Sequence, residues 1–323
     1  MKTKLIYLMS IIFSLGIYNC DEADGGSSQS PTNASTFTSI EDLRNSLKPD
    51  PHVDTVDPST TFSILGPDGT TITCTGNSIL DSSGNTVSDD VIISLYEFNT
   101  LDEMILAKAP TTSNGNLLVT GGSFEVTAEN ATTGEELEFN PWSCSCLLNI
   151  QTNPSTTHQN QMVLFDGNTN NLDNNGQQVV DWNMVNQGEF SVADGVFQAW
   201  GIDIGFSNCD VLYDMAGENG TKFEATVTGV TDYSSNVEVW LIIDDFPSVV
   251  MLTTVNSTPA LETYDGSIPT GLNGTLVGIH IDDEFITDEG LVDVAKIKPI
   301  GRLGYNDYTL TNTDSIFTLD RPS

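Results

Sequence analysis

From Thr60 to the C-terminus, apolar residues recur with a period of two, and turns rich in Gly, Asn, Asp or Pro interrupt them about every ten residues. A period of two puts alternate side chains on opposite faces of an extended strand, so one face is buried and the other is solvated. The pattern predicts strands over 60–64 and 70–74, joined by the turn Pro67-Asp68-Gly69, then over 91–96, 117–120, 123–127 and 137–139. Further strands are predicted over 188–192, 195–200, 222–227, 237–243, 249–252, 275–281, 307–310 and 315–319. Met162-Val163-Leu164-Phe165 is a lone strand candidate in an Asn-, Gln- and Thr-rich stretch. The sequence shows no tandem repeat of 20–50 residues, which excludes a solenoid or propeller, and its strands are short. They predict an all-β chain with two immunoglobulin-like β-sandwich units.

One helix is predicted. Thr38-Ser39-Ile40-Glu41 offers a capping box, with Thr38 capping and Glu41 reaching back. Ile40, Leu43 and Leu47 then share one face, and Lys48-Pro49-Asp50-Pro51 ends the helix because proline cannot continue it.

The N-terminus carries a different signal. Lys2 and Lys4 precede an apolar run, Leu5 to Ile17, that ends at Tyr18-Asn19-Cys20. A basic lead followed by an apolar run of this length is an export signal, too short to span a bilayer stably. Cysteine directly after the run resembles the lipobox of bacterial lipoproteins, although Asn19 stands where a small residue is usual. The resemblance implies cleavage before Cys20, acylation there, and anchoring on a membrane by lipid. Two or more acyl chains hold stably, at about 0.8 kcal/mol per buried methylene. The acidic cluster Asp21-Glu22-Ala23-Asp24 resembles the signal that carries Bacteroidota lipoproteins to the outer face of the outer membrane. The expected organisation is a signal peptide over 1–19, a flexible tether over 20–36, and a short helix with a Pro-rich lead-in over 37–57. A β-sandwich over 58–145, a crossover over 146–185 and a second β-sandwich module over 186–323 follow.

With 45 acidic against 10 basic side chains, the net charge is −35, which excludes phosphate recognition and hence nucleic acid as a partner. Beyond Cys20 the cysteines are Cys74, Cys144, Cys146 and Cys209, an even number suited to disulfides in an oxidising compartment. Cys144 and Cys146 share a strand face and are too splayed to bridge each other easily, so either can pair with Cys74, and Cys209 then stays buried or pairs with the other. Cys-Ser-Cys lacks the two-residue spacer of zinc knuckles, and His158 and His280 stand alone.

Residues 58–140 resemble a β-sandwich domain of Bacteroidota surface lipoproteins, distantly related to the sandwich of ankyrins and netrin receptors. The residues that carry this are Gly69-Thr70-Thr71-Ile72, Asn77-Ser78-Ile79-Leu80, Gly84-Asn85-Thr86-Val87 and Val91 to Phe98. Met104-Ile105-Leu106-Ala107 and, most specifically, Pro110 to Phe124 add to it. Within the last stretch, Gly121-Gly122 predicts a turn or bulge between strands. The resemblance implies a noncatalytic envelope protein.

No nucleophile elbow, Walker loop, zincin helix or EF-hand loop occurs. Asp244-Asp245 and Asp282-Asp283 fall at strand ends and could supply oxygen ligands to calcium, the one cofactor the sequence suggests. Trp182 and Trp200 could form an aromatic platform for glycans, whereas Trp240, between Val239 and Leu241, reads as core. The sequence therefore points to a membrane-anchored surface module that binds or assembles with an envelope protein or a glycan. A calcium- or glycan-binding lipoprotein is the alternative.

Overall fold

The computed structural model describes residues 36–37, 39–140, 146–151, 161–173, 176–185, 190–193, 196–215, 220–227, 237–254, 261–270, 272–280, 292–293, 298–300 and 315–319. Cys20, Cys144, His158, Asp282, Asp283 and the strand expected over 307–310 lie outside them.

The fold is all-β, as the period-two pattern requires. A five-stranded sheet runs in the order Phe190–Ala193, Val196–Trp200, Cys146–Gln151, Thr71–Cys74, Phe62–Leu65. It faces a larger middle sheet ordered Gln178–Met184, Val163–Leu172, Gly205–Leu212, Asn116–Asn130, Val91–Glu97, His52–Val56. Every pairing within these two sheets is antiparallel. Ile64, Ile72, Leu148 and Phe197 from the first sheet meet Ile93, Leu95, Phe124 and Leu164 from the middle one in a single buried cluster.

This pairing corrects the expected boundaries. The described residues between 146 and 212 are neither a crossover nor the start of a second module, because they supply strands to both sheets of the first sandwich. Likewise, His52–Val56 is the edge strand of the middle sheet rather than part of a lead-in. The cause is non-local pairing: the Asn-rich stretch reads as a linker by composition, yet Leu164 and Phe165 bury on opposite faces of a central strand.

The third sheet has the order Lys298–Ile300, Gly274–His280, Val237–Ile243, Ser248–Thr254, Leu261–Glu262, Phe223–Val227, Ser315–Leu319. Its last pairing is parallel. Along Val237–Ile243 the alternation sorts two clusters. Val237, Val239 and Leu241 pack with Phe223, Ala225 and Leu261 in the core of this half. Trp240 and Ile242 turn the other way, onto Phe165, Val180 and Trp182 of the middle sheet. This second apolar seam joins the two halves of the chain.

Two helices occur among the described residues. In α1 (Ile40–Leu47) the N-cap is Ser39, whose side chain accepts the Asp42 N–H at 3.1 Å, while the expected cap, Thr38, lies outside the described residues. The face also differs from expectation: Ile40 and Arg44 are buried, while Leu47 is exposed. The second helix, α2 (Leu101–Leu106), was not predicted. Glu103 accepts the N–H of both Asn99 and Thr100 at 3.0 Å and caps it, and Met104 and Ile105 bury into the seam. Six residues are too few for the helical period to show in the sequence.

Gly121 and Gly122 lie inside one long strand, Asn116–Asn130, and form a bulge there. Thr120 opposes Asp210 and Ser123 opposes Asn208, so two residues face Cys209 alone. Gly122 has φ +141, and a side chain on Gly121 would meet Met162 Sδ at 2.6 Å.

Cys146 lies directly opposite Cys74 in the ladder, and the two form a disulfide. Register decides between the two candidate partners of Cys74. Cys209 is a free, buried thiol that burial pushes well above its usual pKa. The bridge closes a sequence separation of 72 residues, and replacing both cysteines by Ala is expected to cost about 4 kcal/mol in unfolding experiments. Non-reducing peptide mapping should link Cys74 to Cys146. A Cys74–Cys144 peptide would contradict the register.

Candidate functional site

The middle and third sheets are held together by charge as well as by apolar contact. Glu238 alternates onto the same side of its strand as Trp240 and is 1 % exposed. Its Oε2 pairs with Arg44 Nη2 and accepts the Trp240 Nε1–H at 3.3 Å. Its Oε1 lies 3.3 Å from Lys108 Nζ, which in turn lies 2.6 Å from Asp173 Oδ2. Arg44 also donates from Nε to the Ile105 carbonyl at 3.3 Å and pairs with Glu41 at 2.9 Å. The network therefore ties α1, the C-terminal end of α2, the turn after Val163–Leu172 and the third sheet to one another.

Two buried cations balance two buried carboxylates, Glu238 and Asp173, and that balance is the condition under which charges survive burial. Lys108 reaches this position from a left-handed backbone, φ +52, just after α2. Its carbonyl accepts the Val180 N–H at 3.0 Å, so its backbone also holds the middle sheet. Sequence reasoning missed the network entirely. The available signal was scarcity: of ten basic residues in the chain, one sits mid-helix among Ile40, Leu43 and Leu47, and another directly follows Ala107.

Beside this network a cleft of about 290 Å³ opens at the junction of the two halves. Pro110, Val180 and Met251 line its apolar part, and Thr112, Thr253 and Asp181 line its polar part. Leu172 and Tyr264 border it at 63 % and 66 % exposure. Several contacts fix its walls. Trp182 Nε1–H donates to the Pro110 carbonyl at 2.9 Å, and the Thr111 N–H donates to the Val249 carbonyl at 2.7 Å. The Thr111 hydroxyl accepts the Val249 N–H at 2.8 Å and lies 2.7 Å from the Ser248 hydroxyl. Asp181 Oδ1 accepts the Asn114 N–H at 3.1 Å. Asp173, at the cleft margin, is the anion that Lys108 neutralises. The segment around Pro110 and Thr111 thus docks one half of the chain onto the other.

The expected site residues are dispersed. Trp182 is fully buried, its indole N–H satisfied, so it is core and offers no platform. Trp200 is 37 % exposed but belongs to the five-stranded sheet, on the far side of the first sandwich, and the two tryptophans share no surface. Asp245 accepts the Asn273 N–H at 2.7 Å, and the Asp244 N–H donates to the Asn273 carbonyl at 2.8 Å. These two acids brace the turn between paired strands. Among the described residues, no group of three or more His, Cys, Asp or Glu side chains is placed to hold a metal ion.

Asp166, Asp203 and Asp210 have raised pKa values, Asp203 first by burial and then by the charge of Glu138. Asp210, opposite the Gly121-Gly122 bulge, is fully buried and pushed up to about 8 by desolvation. The Asn208 side-chain amide donates to Asp210 Oδ2 at 2.5 Å and acts against the shift, but burial outweighs it. Asp166 is pushed up to about 6, first by burial and then by the charge of Asp203. None of these three acids lines the cleft.

No known protein family, curated protein or solved structure matches the chain.

Two outcomes follow. Glu238→Gln leaves Arg44 and Lys108 buried against one carboxylate and is expected to lower the unfolding free energy by about 3–5 kcal/mol in urea titration. A loss under 1 kcal/mol would show that water or rearrangement replaces the pair. Between the unfolded carboxylate value near 4 and about 8, native Asp210 holds a proton that the unfolded chain releases. Its contribution therefore falls as pH rises through that window. Asp210→Asn is expected to raise Tm more at pH 9 than at pH 5, and an equal change at both pH values would refute the shift.

Proposed function

We propose that this protein is a noncatalytic, lipid-anchored lipoprotein of the bacterial outer membrane, displayed at the cell surface, that works by binding or assembly. One observation carries the binding part: the cleft at the seam is preformed. Its walls are fixed by main-chain hydrogen bonds and by a neutralised ion network, so a ligand or partner meets little ordering cost on docking. Among the described residues the cleft lining holds no nucleophile–base pair, and the three acids with raised pKa values, Asp166, Asp203 and Asp210, stand outside it.

The anchoring part rests on the sequence. Lys2, Lys4, the apolar run to Ile17 and Cys20 form the lipobox-like pattern, and Asp21 to Asp24 supply the surface-export signal. Among the described residues no helix is long and apolar enough to cross a membrane.

Cells grown with an alkyne-bearing fatty acid are expected to yield labelled wild-type protein in the membrane fraction. Cys20→Ser is expected to lose the label and appear in the soluble fraction. Labelled, membrane-bound Cys20→Ser would overturn the anchor. Surface protease should remove the protein from intact cells, and protection until the outer membrane is opened would place it on the periplasmic face.

A further inference from the structure

The chemistry of the cleft narrows what it can hold. We infer that it binds a neutral saccharide, with Tyr264 as the stacking surface and Asp181, Thr112 and Thr253 as partners for hydroxyl groups. This rests on the reading of the chain as a binding module and names the ligand class of that site.

Tyr264 is the first reason. It is 66 % exposed, yet its ring is not loose. A Cβ on Gly115 would lie 2.9 Å from Tyr264 Cγ and 3.1 Å from Cδ2, so the ring rests on the Gly115 main chain. Gly115 adopts φ +79, a conformation that favours glycine, and the missing side chain is what admits the ring. The result is an exposed aromatic held in place at the mouth of a cleft. A pyranose presents a face of C–H groups to such a ring and gains apolar contact with little loss of side-chain freedom.

Polar lining is the second. Asp181 is fixed through Oδ1 by the Asn114 N–H, and two threonine hydroxyls complete the polar wall. Carboxylate and hydroxyl groups beside an apolar surface match a ligand that is hydroxylated at its edges and apolar on its faces.

Charge is the third. The cation nearest the cleft, Lys108, is 6 % exposed and committed to Asp173 and Glu238. With a net charge of −35 and a carboxylate on the wall, an anionic ligand is repelled. A divalent cation lacks its oxygen cage among the described residues. The volume, about 290 Å³, suits a small ligand or the terminal units of a longer glycan.

The test is calorimetry and ligand-observed NMR on the full chain with neutral trisaccharides of gluco, galacto, manno and xylo configuration. At least one is expected to bind. Tyr264→Ala should weaken it about tenfold and Asp181→Asn about fivefold, with Tm unchanged for Tyr264→Ala because the side chain is exposed. Trp200→Ala, on the other side of the molecule, should leave binding intact.

Absence of binding by every trisaccharide would overturn the inference, as would binding indifferent to both cleft substitutions. Failure with saccharides while a crosslinked envelope protein co-purifies would sink the saccharide and leave the binding role standing. A saccharide that binds and is then cleaved would keep the site and refute the noncatalytic reading.

Discussion

Lys108 and Glu238 meet in the buried seam between the middle and third sheets, and the way those two sheets sit together depends on that contact. Neither charge tolerates burial alone, so the strand carrying Glu238 must lie against the turn carrying Asp173 and the helix carrying Arg44. Apolar burial along Trp240, Phe165 and Trp182 brings the sheets together but is non-directional. The ion network adds direction, because sliding either sheet by one residue would strand a charge in the core. Register between the two halves is thus set by electrostatics laid over a hydrophobic seam.

The cleft inherits its rigidity from this arrangement. Asp173 closes one margin and is held by Lys108, while Trp182 anchors the Pro110 carbonyl beneath it. Thr111 stitches the opposite wall to Ser248 and Val249. A surface recess built from the edges of two sheets would ordinarily open and close as the sheets shift. Here buried charge and main-chain hydrogen bonds oppose that motion.

The bulge at Gly121-Gly122 shows how local backbone chemistry bears on a distant property. By setting two residues against Cys209, it brings the Gly121 N–H to Asp210, the most deeply buried carboxyl whose pKa is shifted. The hydrogen bond from Asn208 does not overcome the desolvation, which pushes the carboxyl up to about 8. A position chosen by strand geometry therefore makes stability depend on pH in a chain whose many other acids lie largely in turns.

How much could be read beforehand varied with the range of the interaction. The apolar patterns of 91–96 and 237–243 determined strands, and the run from Val239 to Leu241 marked Trp240 as core, because both are local properties of the sequence. The glycine pair determined a bulge or turn for the same reason, and Cys74 could be expected to bridge to Cys144 or Cys146. What the sequence left open required knowing which strands lie side by side. The choice of Cys146, the inclusion of the described strands between 146 and 212 in the first sandwich, and the burial of Trp182 all follow from pairings between residues far apart in the chain. The ion network and the cleft belong to this second class. Arg44, Lys108, Asp173 and Glu238 are separated by up to 194 residues, and nothing in their individual neighbourhoods marks them as a set. Only the stacking of sheets, driven by burial and locked by charge balance, brings them together.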